Sequence, residues 1–255
     1  MDAPTAKAEW VLATYGVDNR PAAALRSIAD KADIRYGYAE LADEPDLCGE
    51  LLYKGGKKAI LINTFNSKPV RQTFTFAHEL GHYFLQHPPS YRADGTSGFA
   101  CTQSDIKKGL QQEAEANRFA VALLMPDRMF RPLMAGSALD FTLIDSLAKE
   151  FMVSKHACAF RTLDFICDPY VVITSSEYRV ATLKTSRAGR GYLPELKIIP
   201  QDTAAHVAIT HKRSQEHFTP CLPERWLARP ITEQYVYECT RGSFASGVAM
   251  TILQW

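Results

Sequence analysis

The chain has 255 residues, 46% hydrophobic and 22% charged, the balance of a soluble globular protein with a core rather than of a disordered or fibrous one. That length exceeds the commonest single-domain size, so one large domain or two smaller ones are expected. A net charge of +1 excludes a nucleic-acid binder working by bulk positive charge, and equally an acidic tail protein.

Residues 1–9 contain neither the basic start nor the apolar run of a secretory signal. The longest apolar stretches, Phe119 to Met125 and Val248 to Leu253, are too short to cross a bilayer, so a cytoplasmic protein is expected. Cys48, Cys101, Cys158, Cys167, Cys221 and Cys239 are scattered without a Cys-x-x-Cys pair. That spacing suits neither a zinc ribbon nor a disulfide framework, and reduced, mostly buried thiols are expected.

In chain order, Ala6 to Tyr15 is rich in helix formers and stops at Gly16, and Pro21 opens a second amphipathic helix to about Asp33. Ile34 to Ala39 and Glu50 to Tyr53 read as short strands. The turn Lys54-Gly55-Gly56-Lys57 leads into the apolar strand Ala59 to Asn63. A helix from about Val70 to Gln86 carries Phe74, Ala77, Leu80 and Phe84 at helical spacing. Pro88 to Thr102, rich in Pro, Ser and Gly, reads as a loop. Another helix runs from Ser104, or shortly after, to about Met125 and ends at Pro126. A shorter helical pair covers Leu139 to Phe165. Beyond Asp168 the texture turns to β-branched runs such as Tyr170 to Thr174 and His206 to Thr210, and the chain closes on a strand ending at Trp255. There is no internal repeat.

The chemistry concentrates in one helix. Residues 74 to 87 read Phe-Thr-Phe-Ala-His78-Glu79-Leu-Gly-His82-Tyr-Phe-Leu-Gln-His87. Histidines at i and i+4 lie about 40° apart around a helix and about 6 Å along it, so both imidazoles reach one ion from the same face. Glu79, beside the first of them, is placed to take a proton from zinc-activated water. Two surface histidines on an ordinary helix would give the same string, but here it sits in an apolar-periodic helix that follows a strand.

A catalytic zinc site usually takes a third protein ligand and keeps one position for water. The spacing that would supply a third histidine six residues beyond His82 meets Pro88 instead. His87, five residues on, points to another side of the helix and is not expected to ligate. A carboxylate from the next helix is the better candidate. On its wheel Ala116, Phe119 and Leu123 form the inward stripe, and Glu113 and Glu115 flank it on opposite sides, so periodicity does not choose between them.

Arg71-Gln-Thr-Phe-Thr-Phe-Ala-His-Glu-Leu-Gly-His, taken with Glu115-Ala-Asn-Arg-Phe-Ala and Leu-Leu-Met-Pro126, resembles the ImmA/IrrE family of zinc metallopeptidases over about residues 50–130. The resemblance implies a gluzincin-like core of helices against a small sheet. It makes the glutamate before Ala-Asn, Glu115, the third zinc ligand beside His78 and His82. It also implies a protein substrate, a helix-turn-helix repressor of a mobile element, phage or stress circuit. Two accessory expectations follow from zinc-protease architecture: Ala59 to Asn63 as an edge strand holding substrate backbone, with an ordinary core strand as the alternative, and the 88–102 loop gating the metal.

Ile144 to Leu163 resembles a helix-turn-helix, with Ser154 capping its second helix. Lys155 and Arg161 are few cations for a recognition helix, so packing against the protease core is expected in preference to DNA contact. His206, His211 and His217 lack ligand spacing.

The expected fold is α+β: a zincin-like metallopeptidase core at 1–135, a helix-turn-helix-like segment at 136–168, and a small β-rich domain of unassigned role at 169–255. The expected activity is that of a zinc-dependent, site-specific endopeptidase with Glu79 as catalytic residue. The chief rival is a metal-retaining module that controls a repressor by contact alone, and a pure binder has no need of Glu79. A DNA-binding regulator using Ile144 to Phe165 is the third reading.

Overall fold

The computed structural model describes residues 2–102 and 111–255. It divides into two compact units, Met1–Ala135 with Ser146–Ser154, and Gly136–Asp145 with Lys155–Trp255. The segment 136–168, expected as a separate helical piece, is thus shared between the two.

The first unit opens with α1 (Ala3–Tyr15) and α2 (Pro21–Lys31). Asp2 caps α1 by accepting from the Thr5 amide at 3.0 Å, and Gly16 ends it in the left-handed region at φ 69°. A five-stranded sheet follows, in the order β1-β3-β2-β5-β4, built from β1 (Arg35–Ala39), β2 (Leu47–Lys54), β3 (Lys57–Asn63), β4 (Ser90–Tyr91) and β5 (Ser97–Thr102). Gly55 and Gly56 both take positive φ, which the two-residue turn joining β2 to β3 requires.

Two expectations about this sheet are corrected. The 59–63 strand pairs with β1 on one side and β2 on the other, so its backbone has no free edge to offer a substrate. The segment from Pro88 to Thr102 is largely a hairpin, β4 on β5, rather than a loop. Gly98, read in the sequence as a loop signal, lies where β5 approaches β2 closely. A Cβ there would lie 2.2 Å from the Leu51 carbonyl oxygen.

Helix α3 (Pro69–Phe84) crosses this sheet and buries Phe76, Ala77, Leu80 and Phe84. Against it lies α4 (Gln111–Leu124), whose expected start near Ser104 falls outside the described residues. The two helices meet at Gly81, where a Cβ would sit 3.2 Å from the Ala116 backbone and 3.1 Å from the Phe119 ring. After Pro126 a short helix α5 (Asp127–Met134), absent from the sequence reading, buries Phe130 and Met134.

Helices α6 (Phe141–Phe151) and α7 (Lys155–Thr162) follow. The second unit is an antiparallel sheet, β7-β6-β10-β9-β8, formed by β6 (Tyr170–Ser176), β7 (Arg179–Thr185), β8 (Gln215–Cys221), β9 (Val236–Ser243) and β10 (Val248–Gln254). Alternation along the strands feeds two cores. Tyr170, Val172 and Ile252 pack with Ile144 and Ala159, whereas Val171, Ile173 and Leu253 pack with Trp226 and Ile199. Residues 206–210, read as β-branched texture, belong to a helix, α8 (Ala204–Thr210), which Thr203 caps through the His206 amide. No helix among the described residues is long and apolar enough to cross a membrane.

Gly81→Val would drive two methyl groups into backbone. Overpacking of this kind costs about 1–3 kcal/mol, so the variant should melt several degrees lower in thermal denaturation.

Candidate metal centre

Helix α3 fully buries His78, Glu79 and His82. The two histidine Nε2 atoms lie 3.0 Å apart. The carboxylate that meets both comes from α4, with Oε2 of Glu113 3.2 Å from His78 and Oε1 3.2 Å from His82. These donor atoms have the geometry of a metal-holding group. Zinc bonds of 2.0–2.1 Å would set tetrahedral ligand atoms about 3.3–3.4 Å apart, so the donor set fits such an ion with little movement.

Glu115, expected at this position, lies elsewhere. Its Oε2 is 3.2 Å from Nε2 of His87, and its side chain is partly exposed. The reason is the roll of α4 against α3, since buried residues extend to both sides of its stripe, Ala120 and Leu124 on one and Ala122 on the other. Measured from Ala116, Ala120 stands about 40° round the helix on the side of Glu113, itself about 60° away, while Glu115 is about 100° away on the other side.

Around these donors stand further groups that the motif did not reveal. Asn117, one turn beyond Glu113, places its Oδ1 2.9 Å from Nδ1 of His78. That acceptor holds the imidazole proton on Nδ1 and leaves the Nε2 lone pair facing Glu113. His87 sets its Nδ1 2.9 Å from Nδ1 of His82. Phe99 of β5 stacks on His82 with ring centroids 4.3 Å apart, so the hairpin expected to gate the site walls one ligand instead. Cys101 also comes near His78 and Glu79. Hydrogen bonding to Cys48 and burial push its thiol far up, which keeps it protonated and a poor ligand.

The electrostatics suit cation binding. Burial, reinforced by the neighbouring imidazoles, holds His82 below the ordinary histidine range and therefore neutral. Burial pulls Glu113 upward, but its contacts with the His78 and His82 rings outweigh it and hold the carboxyl below the usual glutamate range. Neutral imidazole and ionised carboxylate are the ligating forms. Glu79 behaves oppositely, because burial and the charge of Glu113 raise it well above the usual glutamate range. Neither of its oxygens finds a hydrogen bond of good geometry, although the Leu51 amide offsets part of the burial.

Beside Glu113 a cavity of about 470 Å³ is lined by His87, Gln111, Gln112, Glu113 and Glu115, within the range of ligand-sized clefts. A larger cavity of about 930 Å³ is lined by second-unit residues, among them Glu238 and Arg225, and shows no such donor cluster among the described residues. The cations of the helix-turn-helix-like element are committed. Lys155 pairs with Asp145 at 2.8 Å, and Arg161 with Asp164 at 3.3 Å.

The profile of the Peptidase M78 family, described as the IrrE N-terminal-like domain, matches residues 31–163, from the end of α2 through α7. Among solved structures, a Mycobacterium tuberculosis transcriptional regulator superposes with a TM-score of 0.61 over 100% of this chain and 77% of that one, at 14% identity, a likeness of fold alone. No curated protein matches the sequence.

Because its folded-state pKa is raised, Glu79 lowers the stability of the metal-free protein wherever its carboxyl must ionise. Metal-free Glu79→Gln should therefore melt higher than wild type at pH 7–8, by several degrees if the buried group costs roughly 1–3 kcal/mol. The gain should shrink as pH falls toward about 4.3, where the unfolded carboxyl also takes up its proton. Thermal denaturation at stepped pH reads the effect.

Proposed function

This chain belongs to the Peptidase M78 family and carries a metallopeptidase-type domain, and from that premise we propose that it is a zinc-dependent, site-specific endopeptidase. The observation that carries the reading is the convergence of His78, His82 and Glu113 on one point, with a buried, unpartnered carboxylate, Glu79, adjacent. His78, His82 and Glu113 would hold the ion. Zinc supplies Lewis acidity there, acidifying water and polarising a peptide carbonyl.

The chain's own groups do the rest. Glu79, kept basic enough to accept a proton by its raised pKa, takes one from the attacking water on a carboxylate oxygen and delivers it to the departing amine nitrogen. Asn117 orients His78 through its 2.9 Å contact. Phe99 and the buried wall of α3 keep bulk water from the ligand side. The 470 Å³ cavity beside Glu113 receives the peptide.

The substrate proposed is a helix-turn-helix transcriptional repressor in a stress, phage or mobile-element circuit, a reading supported by the ImmA/IrrE resemblance and by the regulator whose fold this chain shares. We place the activity in the cytoplasm, in keeping with cysteines that are all free. Direct DNA contact is not part of this reading, since Lys155 and Arg161 are spent on Asp145 and Asp164.

Zinc-loaded protein incubated with the repressor encoded beside it should yield one discrete fragment pair by mass spectrometry. Glu79→Gln should retain zinc while cleavage falls by about 10²–10⁴-fold, the usual worth of a general base. Undiminished cleavage by that variant would refute the mechanism. If wild-type protein relieves repression without any cut, the contact-only reading replaces it. Glu113→Ala should lose stoichiometric zinc in equilibrium dialysis at pH 7, and full retention would return the third-ligand role to another residue.

A further inference from the structure

The family motif stops at His82, yet two more titratable side chains continue the line of contacts outward. Nδ1 of His82 lies 2.9 Å from Nδ1 of His87, and Nε2 of His87 lies 3.2 Å from Oε2 of Glu115. His82 and His87 are buried, and Glu115 borders solvent. The residue five positions beyond the second ligand and the glutamate two positions beyond the third are thereby joined to one metal ligand.

Proton positions along this line follow from its outer end. An ionised carboxylate only accepts, so Glu115 places the His87 proton on Nε2. Nδ1 of His87 is then left as an acceptor, and the one proton able to fill that 2.9 Å contact is on Nδ1 of His82. With its proton committed there, His82 must present a bare Nε2 lone pair to the site it shares with His78 and Glu113. The reverse order would put the His82 proton on Nε2, between the ligands, and block coordination. Asn117 does the same for His78 with one neutral side chain. His82 needs two residues, because its outer face looks toward the end of α3 rather than toward α4.

We propose that His87 and Glu115 form a positioning pair that locks His82 in its metal-binding tautomer and orientation. The inference rests on the metal reading above and assigns neither residue to the reacting atoms. Losing outer partners of a ligating histidine typically costs 10–100-fold in metal affinity. His87→Ala and Glu115→Ala should each weaken zinc binding by that factor, measured by competition with a chromophoric chelator on the full chain. The double variant should be no worse than His87→Ala, since both act along one line. His87→Asn, whose side-chain oxygen takes the place of Nδ1, should recover most of the affinity and make Glu115→Ala silent. A purely structural role for His87 would not produce that pattern. Nitrogen-15 spectra of the metal-free protein supply a second readout: His82 protonated at Nδ1 in wild type, and mixed tautomers in His87→Ala.

If wild type binds zinc and neither alanine variant changes the affinity or the tautomer, the positioning pair is wrong while the metal site stands. If wild type binds no zinc in the assay, the metal reading falls and this inference with it.

Discussion

Three acceptor groups, Nε2 of His78, Nε2 of His82 and the Glu113 carboxylate, face one another at 3.0 to 3.2 Å inside a buried pocket. The protons that might ease the contact are drawn outward, by Asn117 on one side and toward His87 on the other. Lone pairs at that separation repel unless something positive lies among them. A divalent cation is the simplest occupant, and most of the first unit is arranged to keep those atoms together. Removing any one of them leaves the others as buried polar groups without a purpose.

The surrounding architecture is tuned to the same point. Gly81 lets α4 approach α3 closely enough for Glu113 to reach both histidines, and the tight β2–β5 contact at Gly98 carries Phe99 onto His82. Glu79 sits in the same pocket at a disadvantage, desolvated and next to a second carboxylate. That arrangement destabilises the metal-free fold and, on the proposed reading, prepares a base, the usual conflict between stability and activity. Bound cation would offset part of it, because ligands that bind only the folded state stabilise it by mass action.

The second unit stands apart chemically. Its sheet buries both faces, one under α6 and α7 residues and the other under Trp226, Ile199 and α8. Helix α7 spends Cys158, Ala159 and Thr162 on packing and its terminal cations on ion pairs, which leaves little of a recognition helix. Buried Glu238 accepts from the Ala204 and Ala205 amides and fastens α8 to β9.

How much of this was legible beforehand depends on the range over which each feature is decided. Helix ends at Gly16, the Gly55-Gly56 turn, and the pairing of His78 with His82 on one face all follow from neighbours within a few residues, where backbone geometry leaves little choice. The segment with β4 and β5 was misread, because its glycines mark close strand contact and not a loop, and that distinction exists only once β2 lies alongside. Residues 206–210 were misread because seven residues hold too little periodicity to tell a helix from a strand. The third donor was the hardest: Glu113 and Glu115 are two residues apart, and which one meets the histidines depends on how α4 rolls against α3 around Gly81. Sequence alone determined that one helix presents two histidines able to hold an ion. Only the packing of two helices decided which carboxylate completes its site, because rotation about a helix axis is fixed by the tertiary core and not by local spacing.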